Sequence, residues 1–95
     1  MKSENYKWEW VDSYLMQYNQ ILQEMKEKSS AIPPDQKLDY LRQVQRLEEE
    51  QNRFKASYRK VQEGNESEQD QMQDVLHKVW RELAHSFDQV IKKYK

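Results

Sequence analysis

Two carboxylate–imidazole pairs are the residues of this chain whose spacing could bind a metal ion. Asp74 and His77 stand three positions apart, and so do Glu82 and His85. Residues three apart share a helix face, and di-iron bundles hold their metals with pairs of this kind from two different helices. Here both pairs fall in one segment, and the helical period turns His85 away from its apolar side. We therefore expect ordinary surface or boundary histidines, no metal and no cofactor, and keep a metal-dependent bundle as a remote alternative.

Other chemistry has still less support in the sequence. The chain has no cysteine and one glycine, and it contains neither a phosphate-binding loop nor a nucleophile turn. We expect no catalytic residue and no enzymatic activity. Nucleic-acid binding is only a further remote alternative. The basic residues of the middle segment are scattered around the helical wheel, and the acidic residues 48–50 interrupt them. These basic residues are Arg42, Arg46, Arg53, Lys55, Arg59 and Lys60.

The middle of the chain must supply the element around which the others pack. Its apolar residues recur in steps of three and four: Tyr40, Val44, Leu47, Phe54, Tyr58 and Val61. This period predicts a helix over 35–62 with one buried stripe, on which Gln51 is the single polar residue. If the first turn centres near Ile32, Gln51 is level with Tyr14. The Tyr14 hydroxyl is then its expected partner, with His77 second.

The flanking segments carry matching stripes. The first predicts a helix over 4–29, capped by Ser3, with core residues Trp8, Val11, Leu15, Tyr18, Leu22 and Met25. The third predicts a helix over 67–94, opened by a capping box at Ser67–Asp70, with core residues Leu76, Val79, Trp80, Leu83, Phe87 and Val90. Met72, Val75, Ile91 and Tyr94 widen its apolar side. Acidic residues early and basic residues late in both segments suit the helix dipole.

The connections between the segments are short. Pro33 and Pro34 end the first turn, and Gly64 is the expected left-handed C-cap of the second helix. Short connections make consecutive helices antiparallel neighbours. The sequence therefore predicts one domain over 1–95, an elongated all-α up-down-up three-helix bundle. A helical hairpin that completes its core by dimerisation is the alternative.

Composition agrees with helices that each bury one stripe. Hydrophobic residues make up 36%, charged residues 35%, and the mean hydropathy is -1.30. The formal net charge of -1 gives no global attraction to nucleic acid or anionic membranes. No apolar run is long enough for a membrane span, and the first residues lack the apolar core of a signal peptide. We expect a soluble, unprocessed and, given the absence of cysteine, cytoplasmic protein.

Some apolar residues exceed what a simple bundle needs. They fall at the edge of the stripes or outside them: Tyr6, Trp10, Tyr14, Met16, Leu38 and Leu41. Tyrosine and tryptophan are favoured at binding hot spots, so we interpret this group as a partner-binding surface. The alternative interpretation is that these residues only widen the hydrophobic core. The expected function is a non-enzymatic helical protein-interaction module, such as an adaptor, small regulator or assembly or export partner. A self-assembling coiled-coil homo-oligomer is the alternative.

Overall fold

The computed structural model describes residues 8–94, and within them it contains three α-helices and no strand. Helix α1 spans Glu9–Lys28, α2 spans Pro34–Gln62 and α3 spans Glu66–Lys93. A 3₁₀ turn, Ser29–Ala31, follows α1 directly. The helices run up, down and up in a body of 50 × 24 × 19 Å, which confirms the predicted elongated bundle. Among the described residues helix α1 begins at Glu9; the predicted start at residue 4 and the predicted cap, Ser3, lie outside them.

Two prolines set the start of α2. Ile32 has φ -80° and ψ 134°, and Pro33 has φ -56° and ψ 145°, so both are extended, as the residue before a proline is expected to be. Pro34 occupies the first helical position, where its missing N–H is not needed. The turn therefore ends sharply, and it leaves Ile32 buried at one end of the core.

The second turn differs from the sequence expectation in two ways. The capping box is formed by Asn65 and Glu68, not at Ser67: Asn65 Oδ1 accepts the Glu68 N–H at 2.8 Å, and Glu68 Oε1 accepts the Asn65 N–H at 3.0 Å. Gly64 is also not left-handed, since no described residue has a positive φ. A Cβ at position 64 would instead lie 2.6 Å from Glu68 Oε1. Glycine fits here because the capping carboxylate passes so close.

One hydrophobic core runs the length of the bundle, and each helix contributes its stripe. Leu15, Tyr18 and Val79 are only half buried and pack against this core. The remaining predicted core residues are all buried: Trp8, Val11, Leu22, Met25, Val44, Leu47, Phe54, Tyr58, Val61, Leu76, Trp80, Leu83, Phe87 and Val90. On α3, Met72, Val75 and Ile91 stay exposed, so its apolar side is wider than the part it buries.

Gln51 is buried, as its place on the stripe predicts, but its partner is neither Tyr14 nor His77. Its Nε2 donates to Asn19 Oδ1, and no donor among residues 8–94 reaches its Oε1. Helical side chains lean toward the N-terminus. Two side chains that meet between antiparallel helices therefore each carry a residue number about one higher than their Cα levels suggest, which accounts for part of the shift from Tyr14 to Asn19.

Replacing Gln51 by leucine should stabilise the bundle. A buried polar atom without a partner costs about 1–3 kcal/mol, and leucine fills a similar volume without that atom. We expect Gln51→Leu to raise the free energy of unfolding by about 1 kcal/mol in urea titrations. Gln51→Ala is the control, because it also removes the amide but leaves a cavity and should destabilise. A destabilising Gln51→Leu would show that the amide makes further hydrogen bonds.

Gly64→Ala should destabilise the protein through Glu68. Alanine at a compatible backbone position normally stabilises by about 0.4–1 kcal/mol, whereas loss of a helix cap costs about 0.5–2 kcal/mol. The new Cβ would displace the capping carboxylate, so we expect a net loss in the wild-type background. In a Glu68→Ala background nothing is displaced, and Gly64→Ala should then stabilise. Thermal unfolding of the four proteins tests this, and equal effects in both backgrounds would contradict it.

Candidate functional site

The six residues predicted as a partner-binding group do not form one surface. Tyr6 lies outside the described residues. Trp10 and Tyr14 lie between α1 and α3, whereas Met16, 73% exposed, points to another side of α1, since two residues turn roughly 200° around a helix. Leu38 and Leu41, 63% and 42% exposed, lie on α2 outside its buried stripe. Only the Trp10 and Tyr14 pair remains as part of one site.

Helices α1 and α3 are held further apart than either is from α2. Among the described residues, no Cα atom of α1 lies within 8 Å of a Cα atom of α3, whereas α2 approaches both neighbours within that distance. Aromatic side chains fill the gap. Tyr18 contacts Trp80 and Phe87, with ring centroids at 4.8 and 4.6 Å. The bundle therefore has one wide groove, which we call the α1–α3 groove.

One end of this groove is lined by two stacked pairs of rings. Trp10 of α1 lies parallel to His77 of α3, with centroids 3.9 Å apart and planes 8° apart. One turn further along, Tyr14 stacks on Trp80 at 5.1 Å and 15°. Aromatic pairs contribute about 0.5–1.5 kcal/mol beyond the area they bury. Trp10 is half buried and packs against the core, so it is largely a structural residue, while Tyr14 remains 41% exposed.

The other end of the groove contains an apolar cavity of about 250 Å³. Ile21 and Met25 of α1 face Val90 and Ile91 of α3 across it, and Tyr40 of α2 also contributes to the wall. Lys28 crosses its rim, where Nζ donates to the Tyr94 carbonyl at 3.0 Å. Ile91 is 37% exposed. The apolar lining thus continues from the stacked rings to this cavity along one side of the molecule.

Sequence reasoning missed Ile21, His77 and Ile91 as members of one site. The signal that could have found them is the parallel direction of the first and third helices in an up-down-up bundle. Residues at the edges of the apolar stripes where α1 and α3 face each other then lie at the same height along the bundle. Their numbers differ by a nearly constant amount, as in the stacked pairs Trp10–His77 and Tyr14–Trp80.

Other depressions are less suited to binding. One of about 370 Å³ lies between α2 and α3, but its rim carries Glu50, Arg53 and Glu82, and its apolar floor residues are largely buried. Exposed Met72 lines a third depression of about 330 Å³, next to the second turn. Neither contains stacked rings exposed to solvent. The α1–α3 groove combines exposed apolar side chains with a cavity.

In the part of the chain that is described, the two histidines belong to no cluster of potential metal ligands. Residues 8–94 contain no group of three or more histidine, cysteine, aspartate and glutamate side chains placed to hold an ion. His77 instead stacks on Trp10, which fixes its ring plane against α1. The exposed His85 lies two turns further along α3.

The end of the bundle next to the cavity is closed by a polar cluster. Asp39 of α2 accepts hydrogen bonds from the Tyr94 hydroxyl and, at 3.1 Å, from Lys93 Nζ. The Tyr94 hydroxyl, followed by the Lys93 ammonium, lowers the pKa of Asp39. The same hydrogen bond raises the pKa of Tyr94. The cluster joins the start of α2 to the end of α3 through a carboxylate that must be ionised.

Comparison with known proteins adds no further constraint. No protein-family model, no curated protein and no solved structure matches this chain. Within residues 8–94, no helix combines the length and the apolar character that crossing a membrane requires. The fold and the groove therefore define the molecule as an all-α bundle with one wide aromatic face.

The Asp39 cluster should make stability depend on pH at both extremes. Because the pKa of Asp39 is lowered in the folded protein, its contribution to the free energy of unfolding is fully present above about pH 3.9, the usual aspartate pKa. This contribution is lost as the pH falls through the lower pKa of the folded state. Because the pKa of Tyr94 is raised in the folded protein, its contribution to the free energy of unfolding is fully present below about pH 10. This contribution is lost as the pH rises through the higher pKa of the folded state. Asp39→Asn should be less stable than wild type at neutral pH, and the difference should shrink in acid and in alkali.

Urea unfolding of wild type and Asp39→Asn between acid and alkaline pH measures this difference. Asp35→Asn is the matched control, because Asp35 is an exposed carboxylate in the first turn of the same helix. A difference between wild type and Asp39→Asn that stays constant across the whole range would rule out ionic linkage at this cluster.

Proposed function

We propose that this protein is a non-enzymatic helical interaction module whose α1–α3 groove binds a helix of a protein partner. The observation that carries this proposal is the continuous apolar lining from Tyr14 to Ile91 between two helices whose wider gap is filled by aromatic rings. Amphipathic helices bind in such hydrophobic grooves with residues spaced three and four apart. A helix placed there would turn the three-helix body into a four-helix packing.

The size of the groove fits this kind of ligand. The 20 residues of α1 make a wall ~30 Å long at 1.5 Å per residue. Small-molecule pockets typically enclose ~300–1,000 Å³, whereas this cavity of about 250 Å³ matches a side chain or two. The exposed residues also sit beside tyrosine and tryptophan, the residues most enriched at binding hot spots. The groove therefore suits an extended protein surface with a few anchoring side chains.

Charge and composition are consistent with a protein partner in a reducing compartment. The net charge of -1 provides no field that favours nucleic acid, and the chain has no cysteine. We place the module in the cytoplasm as part of this proposal. Adaptor, small regulator and assembly or export partner are the roles that such a binding surface would serve.

A charge introduced at Ile91 should weaken partner binding without unfolding the protein. Ile91→Glu puts a carboxylate into the groove, where docking would bury it without a partner, and we expect at least a tenfold loss of recovered partner, which corresponds to about 1.4 kcal/mol. Leu41→Glu is the matched control, since Leu41 is 42% exposed against 37% for Ile91 and lies on α2. Circular dichroism should show unchanged helix content in both variants.

The measurement is affinity capture from an extract of the source organism, with quantitative mass spectrometry of wild type, Ile91→Glu and Leu41→Glu. Proteins retained by Leu41→Glu and lost with Ile91→Glu depend on the groove. Loss with Leu41→Glu alone would place the binding surface on α2. Equal recovery by both variants would contradict the proposal.

A further inference from the structure

We infer that α1 is a hinged lid on the hairpin formed by α2 and α3. The lid opens at the first turn, starting from its Glu9 end, while α2 and α3 stay packed together. This device goes beyond the proposed function and exists whether or not a partner occupies the groove. Three features support it: polar contacts between α1 and α2, the small number of side chains that α1 buries, and the different construction of the two turns.

The first feature is a polar stripe on the side of α1 that faces α2. Three side chains of α1, each seven residues from the next, contact polar side chains of α2. The pairs, which we call the polar seam, are Asp12 with Tyr58 at 2.9 Å, Asn19 with Gln51, and Lys26 with Glu48 at 2.8 Å. Lys26 and Glu48 are nearly half exposed, so water screens their attraction. Gln51 Oε1, which no described donor reaches, gains water when α1 moves away. The polar seam therefore resists opening less than apolar packing of the same extent.

The second feature is that α1 buries fewer side chains than the other helices. Of its 20 residues, Val11, Leu22 and Met25 are buried, against seven of 29 in α2 and five of 28 in α3. Toward α3 it is held by aromatic rings, without a close approach of the two backbones. In contrast, Phe54 of α2 and Leu83 of α3 are both buried and line the same interface. The hairpin thus has an apolar interface of its own, which opening of α1 leaves intact.

The third feature begins with the second turn, which ties α3 firmly to α2. The capping box of Asn65 and Glu68 fixes the start of α3. In addition, Gln69 Nε2 donates to the carbonyls of Gln62 and Gly64, at 3.0 and 3.1 Å. Side chains of α3 therefore bond directly to the end of α2.

The first turn has no comparable connection. Pro33 and Pro34 have no N–H to donate. The Ile32 N–H donates back to the Ser29 carbonyl and the Gln36 N–H to the Pro33 carbonyl, so none of the described backbone hydrogen bonds crosses from Ile32 to Pro33. A change of about 20° at Ile32, within the ordinary scatter of backbone angles, moves the far end of a ~30 Å helix by ~10 Å. Such a movement breaks no hydrogen bond of either helix.

Contacts next to this hinge set the direction of opening. The Tyr40 hydroxyl donates to the Met25 carbonyl at 2.7 Å, and Lys28 Nζ donates to the Tyr94 carbonyl at 3.0 Å. Both contacts lie at the end of α1 nearest the hinge, so they persist while the Glu9 end moves away. We therefore expect amide protection to rise along α1 toward Met25.

Opening of the lid removes one wall of the α1–α3 groove. Tyr14 and Ile21 belong to α1, whereas Trp80 and Ile91 belong to α3. A partner that contacts both walls would bind only the closed state, and it would lower the population of the open one. The lid is in this way a control on the binding surface.

Native-state hydrogen exchange tests the lid, with amides of the free protein followed by NMR spectroscopy at increasing urea concentration. The slowest amides of α1 should exchange at least about tenfold faster than the slowest amides of α2 and α3. Their exchange should also depend less steeply on urea, because opening one helix exposes less surface than unfolding the whole bundle.

Two variants separate opening of α1 from global unfolding. Gln51→Leu replaces a contact of the polar seam with an apolar one and should slow exchange in α1 about fivefold. Val79→Ala is the matched change in the hairpin, since Val79 lines the depression between α2 and α3, to which α1 does not contribute. It should speed exchange of the slowest α2 and α3 amides about fivefold and leave exchange in α1 unchanged.

Three results would overturn the inference. Equal protection in all three helices, with one common dependence on urea, would mean that α1 opens only when the whole bundle unfolds. Val79→Ala that speeds exchange in α1 as much as in α2 and α3 would mean the same. Exchange in α1 that Gln51→Leu does not slow would show that the polar seam does not control the opening. None of these results affects the Ile91→Glu capture experiment, which tests the groove itself.

Discussion

Aromatic stacking between α1 and α3 is the interaction on which the shape of this bundle depends. Trp80 contacts Tyr14 and Tyr18 of α1 and Phe54 of α2, with centroid distances from 4.8 to 5.3 Å. These rings fill the wider separation between the two parallel helices. Helix α2 packs closely against both. The result is a bundle with one wide side, and that side is where apolar surface remains exposed.

This spacing separates residues that stabilise the fold from residues available to a partner. Trp10 stacks on His77 and packs against the core, so a change there would disturb folding as well as binding. Tyr14 stacks on Trp80 and Ile91 lines the cavity, and both side chains remain partly exposed to solvent. A rigid side chain with an exposed apolar edge loses little entropy when a partner covers it. The same packing that fixes the helices therefore prepares a binding surface.

Polar contacts add to apolar packing at the ends of the bundle. The Asn65–Glu68 box closes the second turn, and Asp39 joins the start of α2 to the end of α3. Inside the bundle, the Tyr40 hydroxyl donates to the Met25 carbonyl at 2.7 Å, and Gln51 donates to Asn19. Directional contacts of this kind favour one register between helices whose apolar stripes would tolerate several.

The sequence by itself determined the helices, their direction and nearly all of the core, because apolar spacing at the helical period and two short turns leave little choice. It also placed Gln51 in the interior. Only the tertiary structure decided what Gln51 contacts, which residue caps α3, and that Met16, Leu38 and Leu41 lie apart from Tyr14. Those outcomes depend on the lean of side chains, the close approach of Glu68 to Gly64, and the spacing between α1 and α3. Residue type and spacing along one helix do not specify distances between helices.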